Sequence, residues 1–205
     1  MTEPLFEVAE TWTHAMVTAH RKLPKGCDEW LRPAIAARLT RLRAEFGTET
    51  TTSGMAIGGD MMFADEALKL GFPLTAAVPF PSQANDEYGP TWSRLQKQRW
   101  QQLCDQAVFV KLVSETDPTT FKQRVAMLHA RNDWMLERNQ VVLAIWAPGN
   151  RRGGTYSCIV KAVSAGKPVI LFNLATKAVT RPRPQDWANY LGIPALARRG
   201  APSNR

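Results

Sequence analysis

With 205 residues and 44% hydrophobic content, the chain has the size of one ordinary domain with a sizeable core rather than two. No apolar run approaches the roughly 20 residues of a membrane span, and the N-terminus, with Glu3, Glu7 and Glu10, lacks the basic-then-apolar order of a leader, so a soluble, cytoplasmic protein without membrane contact is expected. The net charge of +8 points to polyanions only until it is divided: Lys177, Arg181, Arg183, Arg198, Arg199 and Arg205 against Asp186 alone give residues 175–205 a net +5, leaving +3 for the rest.

Taken in order, Trp12 to Ala19 is an apolar, β-prone run ending in Thr18-Ala19-His20-Arg21, and it predicts the first strand. Leu31, Ile35, Leu39, Leu42 and Phe46 then recur at steps of four, four, three and four, an amphipathic helix that Gly47 stops. The β-branched run Thr48 to Thr52 leads into Thr-Ser-Gly-Met-Ala-Ile-Gly-Gly-Asp, after which Met61, Ala64, Ala67 and Leu68 continue at helical spacing. This is a strand–glycine turn–helix junction, in which Gly54, Gly58 and Gly59 allow tight turning or close approach of a ligand to N–H groups at the helix start. Asp60 would cap that helix or accept ribose hydroxyls.

Leu74 to Phe80 is the third strand, followed by a polar loop from Ser82 to Thr91 that carries Gln83. A helix from about Trp92 to Gln106 precedes the fourth strand, Val108 to Val113. In the next helix Asn132 falls on the apolar stripe of Phe121, Val125, Leu128, Met135 and Leu136, where it needs partners or contacts a ligand. Arg124, Arg131 and Arg138 form a row on its flank, read as a solvated face before an anion track. Val141 to Trp146 is almost wholly apolar, as a strand covered on both faces should be. A second glycine loop, Pro148 to Gly154, opens a helix from Thr155 to Ala165, and Pro168 to Leu174 is the sixth strand. Strands alternating with helices predict an α/β sandwich with a mainly parallel sheet over residues 1–174, and residues 175–205 read as a basic, Pro-containing C-terminal extension.

In such a sheet, ligands bind beyond the carboxyl ends of the strands where the winding reverses. The loops there supply Thr18, His20 and Arg21 after the first strand, Ser53, Gly54, Gly58, Gly59 and Asp60 after the second, Gln83 after the third, and Arg152, Gly153, Gly154 and Thr155 after the fifth. Two glycine turns that each open a helix suit a ligand with phosphate and nucleoside parts, and Gly58 and Gly154 are expected to line one pocket. Trp92, Trp100, Trp134 and Trp146 read as core or interface, with stacking on a base as the alternative. Cys27, Cys104 and Cys158 are too far apart and too few for a disulfide framework, and none has metal-ligand spacing to a histidine. Neither a metal nor a cofactor is expected.

These residues resemble a known family. Thr18-Ala19-His20-Arg21 looks like the Thr-Gly-His-Arg strand end of the SLOG superfamily, specifically its YpsA-like (DUF1273) branch, and Ser53 to Asp60 looks like that branch's Ser-Gly-Met-Ala-x-Gly-x-Asp signature. Pro79-Phe80, Gln83, Trp92 and Arg99 resemble its middle segment, Arg131-Asn132 its Arg-Asn pair, and Gly153-Gly154-Thr155 its Gly-Gly-Thr turn. The resemblance implies a Rossmann-like three-layer sandwich with a pocket for a nucleotide or nucleotide-derived molecule, held by a sensor, carrier or sequestering protein. It leaves open an N-glycosidase, phosphoribohydrolase or deoxyribosyltransferase-like enzyme using Asp60, Asp133 or Glu137. It also leaves open DprA-like single-stranded DNA binding through the arginines and tail, and a homo-oligomer. The glutamate of the LOG phosphoribohydrolases falls on Cys158 here, and a thiol cannot replace that carboxylate.

Overall fold

The computed structural model describes residues 10–193. Seven strands form one sheet: β1 (His14–Ala19), β2 (Thr50–Ser53), β3 (Leu74–Val78), β4 (Phe109–Leu112), β5 (Val141–Trp146), β6 (Val169–Asn173) and β7 (Ala178–Thr180). The order is β4-β3-β2-β1-β5-β6-β7, parallel throughout except for β7, which pairs antiparallel with β6. The expected α/β sandwich with a mainly parallel sheet is what the chain forms. Side chains alternate between two cores. Ala15, Val17, Leu143 and Ile145 pack on one face under α1 (Asp28–Phe46) and α2 (Gly59–Lys69), with α3 (Arg94–Gln106) beside them. Met16, Val142, Ala144 and Trp146 pack on the other, under α4 (Phe121–Arg138), α5 (Gly153–Ser164) and α6 (Pro184–Leu191).

Local chemistry sets the elements. In α1 the apolar stripe Leu31, Ile35, Leu39 and Leu42 is fully buried, and Gly47 ends the helix in the left-handed region at φ 67°. Strand β2, Thr-Thr-Thr-Ser, is polar yet buried, and its hydroxyls are all engaged: Thr51 donates to the Pro73 carbonyl, Thr52 to Asn139 Oδ1 and Ser53 to the Asp60 carbonyl. Winding proceeds from β1 through β2 and β3 to β4 on one side and from β5 to β6 on the other. The reversal lies between β1 and β5, and the crevice beyond their carboxyl ends is where a ligand belongs.

The C-terminal segment corrects one expectation. As far as residue 193, the proposed extension is built into the body: β7 continues the sheet, and Trp187 and Leu191 of α6 are buried in the core beneath α5. The prolines that suggest an extension instead frame a capped helix, with Pro184 at its first turn and Gly192 closing it in the left-handed region. Arg198, Arg199 and Arg205, half of the basic charge assigned to the tail, lie outside the described residues. Among the described residues no helix is long and apolar enough to cross a membrane. Trp187→Ala should therefore cost about 3–5 kcal/mol in urea denaturation, whereas Leu95→Ala on exposed α3 should stay within about 0.5 kcal/mol. A near-neutral Trp187 variant would mean that α6 is an appendage.

Candidate functional site: a cationic crevice at the sheet reversal

The floor of the crevice is set by what Gly54 lacks. A Cβ there would coincide with the guanidinium of Arg131, which reaches in from α4 and donates through Nη1 to the Gly54 carbonyl. Gln83 Nε2 donates to the same carbonyl at 3.1 Å. Asp60, in the first turn of α2, places Oδ2 3.7 Å from Arg131 Nη1, and the Ala56 N–H donates to that oxygen at 3.4 Å. Both charged side chains are buried. Burial pushes the Asp60 carboxyl up to about 6, against the opposing pull of Arg131, and pushes Arg131 below its ordinary value. Asp60 Oδ1 and Arg131 Nε are buried with no partner among the described residues. Buried polar atoms are ordinarily paired, so these two are exceptions that set the floor apart from the rest of the core.

Above this floor opens a cavity of about 780 Å³, between the end of β1, the inner face of α4 and the start of α5. Thr18, His20 and Arg21 border it from β1, Arg131 and Asn132 from α4, and Gly153, Gly154 and Thr155 from α5. The Thr155 hydroxyl donates to the Ala19 carbonyl at 2.8 Å, which fastens α5 to the end of β1. The N-terminus of α5 has no side-chain cap, and Gly153 stands at φ 84°, so its first N–H groups and positive dipole end are free to meet an anion. A Cβ on Gly154 would meet only Asn132 Nδ2, at 3.8 Å. Arg21 has no carboxylate partner among the described residues, and burial together with Arg124 and Arg131 lowers its pKa. An added anion would relieve that repulsion. Val125 and Leu128 supply an apolar wall.

Helix α6 holds the loop that leads into this helix start. Arg151 lies where a Cβ on Gly192 would stand and donates to the Asn189 carbonyl at 3.4 Å, while the Tyr156 hydroxyl donates to the Leu191 carbonyl at 3.1 Å.

Five predicted residues lie behind the cavity wall rather than in it: Ser53, Gly54, Gly58, Gly59 and Gln83. Gly58 and Gly154 do not share the cavity. A Cβ on Gly58 would strike the backbone carbonyls of His20, at 2.7 Å, and Arg21, so that glycine is needed for packing of the β1 loop on α2. Gly59 serves the same contact, its N–H donating to the His20 carbonyl at 3.1 Å. The first glycine turn is thus scaffold, and the second faces the cavity. The arginine row is also corrected. Arg138 is exposed and stacks on Trp134 at 4.6 Å, but Arg124 and Arg131 are buried, and Arg124 pairs with Asp86.

Of the carboxylates considered for an enzyme, only Asp60 reaches the cavity. Asp133 is tied to Lys161 at the surface, and Glu137 is exposed. Trp92, Trp100, Trp134 and Trp146 all lie outside it. Sequence reasoning placed Arg152 at the site, as observed, but missed the apolar wall, for which the stripe of Val125 and Leu128 leading to Asn132 was the available signal. Among the described residues no group of three His, Cys, Asp or Glu side chains is placed to hold a metal ion.

No protein-family model matches the chain, and no curated protein does. Solved structures do resemble it. DNA processing protein A from Helicobacter pylori, described for its single-stranded DNA binding mode, superposes with a TM-score of 0.55 at 17% identity, over 78% of this chain and 65% of that one. DprA from Streptococcus pneumoniae gives a TM-score of 0.52 at 16% identity, over 78% of this chain and 50% of that one. The chain thus spans about half to two thirds of the length of these proteins. The likeness establishes the fold alone, a Rossmann-like α/β fold of the kind that DprA has.

Asp60 makes the floor pH-sensitive. Its folded pKa, about 6, lies above the ordinary 3.8, so between these values the folded state holds a proton that the unfolded chain releases, and stability falls as pH rises through the window. Urea denaturation should show the wild type losing roughly 2–3 kcal/mol from pH 4 to pH 7 relative to Asp60→Asn. A difference between the two proteins that is flat with pH would contradict a buried, proton-holding carboxyl.

Proposed function

We propose that the chain binds a phosphorylated nucleoside or a molecule derived from one, as a sensor, carrier or sequestering protein of the YpsA-like kind. The observation that carries this reading is the unpaired, half-buried Arg21 facing the uncapped start of α5 across a cavity of about 780 Å³. A phosphate would sit between that guanidinium, Arg152 and the N–H groups of Gly153, Gly154 and Thr155. The floor then has the complementary chemistry for the sugar: Asp60 Oδ1 accepts from a hydroxyl, and the Asn132 amide both donates and accepts. Val125 and Leu128 offer an apolar surface to a base. A cavity of this size encloses one such molecule comfortably. Among the described residues Asp60 is the one carboxylate at the cavity, so the paired-carboxylate chemistry of a typical glycosidase has no second member there, which favours binding over turnover.

Single-stranded nucleic acid is a second reading, and the DprA-like fold favours it. A strand would use the same cations but would show steep salt dependence and affinity that grows with length. In calorimetric titration, a nucleoside 5′-monophosphate should bind with modest salt dependence. Arg21→Ala should weaken that binding about 10- to 100-fold, the loss of one or two charge-assisted hydrogen bonds, without lowering the melting temperature. Arg41→Ala on exposed α1 should leave it unchanged. Unaltered affinity in the Arg21 variant would refute the phosphate subsite.

A further inference from the structure

A second cavity, of about 490 Å³, adjoins the first and shares His20 and Asn150 with it. It lies over the carboxyl ends of β5 and β6, where Ala147 and Leu174 form its floor and Leu23 its side, with Lys22 at its rim. Lys22 has no ion-pair or hydrogen-bond partner among the described residues. The partition between the two cavities is rigid. The His20 N–H donates to the Ile145 carbonyl at 3.0 Å, its carbonyl accepts from Gly59, and Gly58 lets the loop settle against α2. The ring nitrogen Nε2 is nevertheless buried without a partner. The tied backbone makes His20 a fixed post between the two cavities, and its Nε2 is a polar atom with no partner among the described residues.

We propose that the ligand is a dinucleotide, whose two nucleoside units occupy the two cavities and whose phosphate linkage crosses His20. This rests on the nucleotide reading above and extends it, since the main cavity alone already accommodates one unit. The linkage would pass between Arg21 on one side and Lys22 on the other, with His20 Nε2 hydrogen-bonding a phosphate oxygen. The second base would lie against Ala147, Leu23 and Leu174, the apolar residues that line this cavity. A ligand laid across the sheet reversal is the arrangement that an open α/β sheet favours for two-unit nucleotides.

The test is calorimetric titration of the whole chain with AMP, the 5′-phosphorylated dinucleotide pApA and a twelve-residue oligoadenylate. The dinucleotide is expected to bind at least tenfold more tightly than AMP. Ala175→Trp, at the exposed rim of the second cavity, should bring the dinucleotide to the affinity of AMP and leave AMP itself unchanged. Equal affinities for AMP and pApA, or a dinucleotide gain untouched by Ala175→Trp, would overturn the proposal while the nucleotide reading stands. An oligoadenylate that binds far more tightly than pApA would also overturn it, in favour of a strand. Binding of none of the three would remove the nucleotide reading, and this inference with it.

Discussion

The crevice depends on one carbonyl. Gly54 follows β2 without a side chain, and the space so left admits Arg131, 77 residues further along on α4, whose guanidinium donates to the Gly54 carbonyl beside Asp60. Burying an arginine and an aspartate together is expensive unless hydrogen bonds complete them, and here the completion is partial: Arg131 Nε and Asp60 Oδ1 remain open. An apolar pair would serve stability better. The polar floor therefore carries a cost in stability, which the proposed ligand would offset, and strain lies beside it, since Met55 occupies the left-handed region at φ 56° immediately after Gly54.

From that floor the rest follows by geometry. The parallel sheet brings the ends of β1 and β5 together, the Thr155 hydroxyl locks α5 onto β1, and α6 braces the intervening loop through Arg151 and Tyr156. The two glycine-rich turns then divide their labour. Gly58 lets the loop after β1 pack its backbone on the start of α2 and Gly59 makes room for the Ala19 and Ile145 side chains, while Gly153 and Gly154 leave a helix N-terminus open at the cavity that Arg21 borders. A glycine after a strand is permissive of either role, and the neighbouring backbone decides which one is played.

Much of this was legible in the chain. The wholly apolar run Val141–Trp146 is a strand to the residue, the stripe from Leu31 to Leu42 is the buried face of α1, and alternation of strands with helices gave the sheet. Ten of the residues expected at the ligand line the cavity, among them Thr18, Arg21, Asp60 and Asn132. What was not legible depended on distant partners. A row of arginines on one helix looks solvated until Gly54 opens a hole beneath one member and Asp86 meets another. Residues 178–191 read as an extension because prolines obscured the apolar pair Trp187 and Leu191, four residues apart and on one face of a short helix.

The proposed function places a nucleotide phosphate between the end of β1 and the start of α5, above the Arg131–Asp60 floor. Amide and arginine side-chain NMR spectra recorded while a nucleoside 5′-monophosphate is added test it most directly. The account predicts that the amides of Gly153, Gly154 and Thr155 and the Nε–H signals of Arg21 and Arg131 move together and saturate at one equivalent. Saturable shifts confined to the exposed residues of β4, or to the basic residues after Ile193, with the α5 amides unmoved, would contradict it.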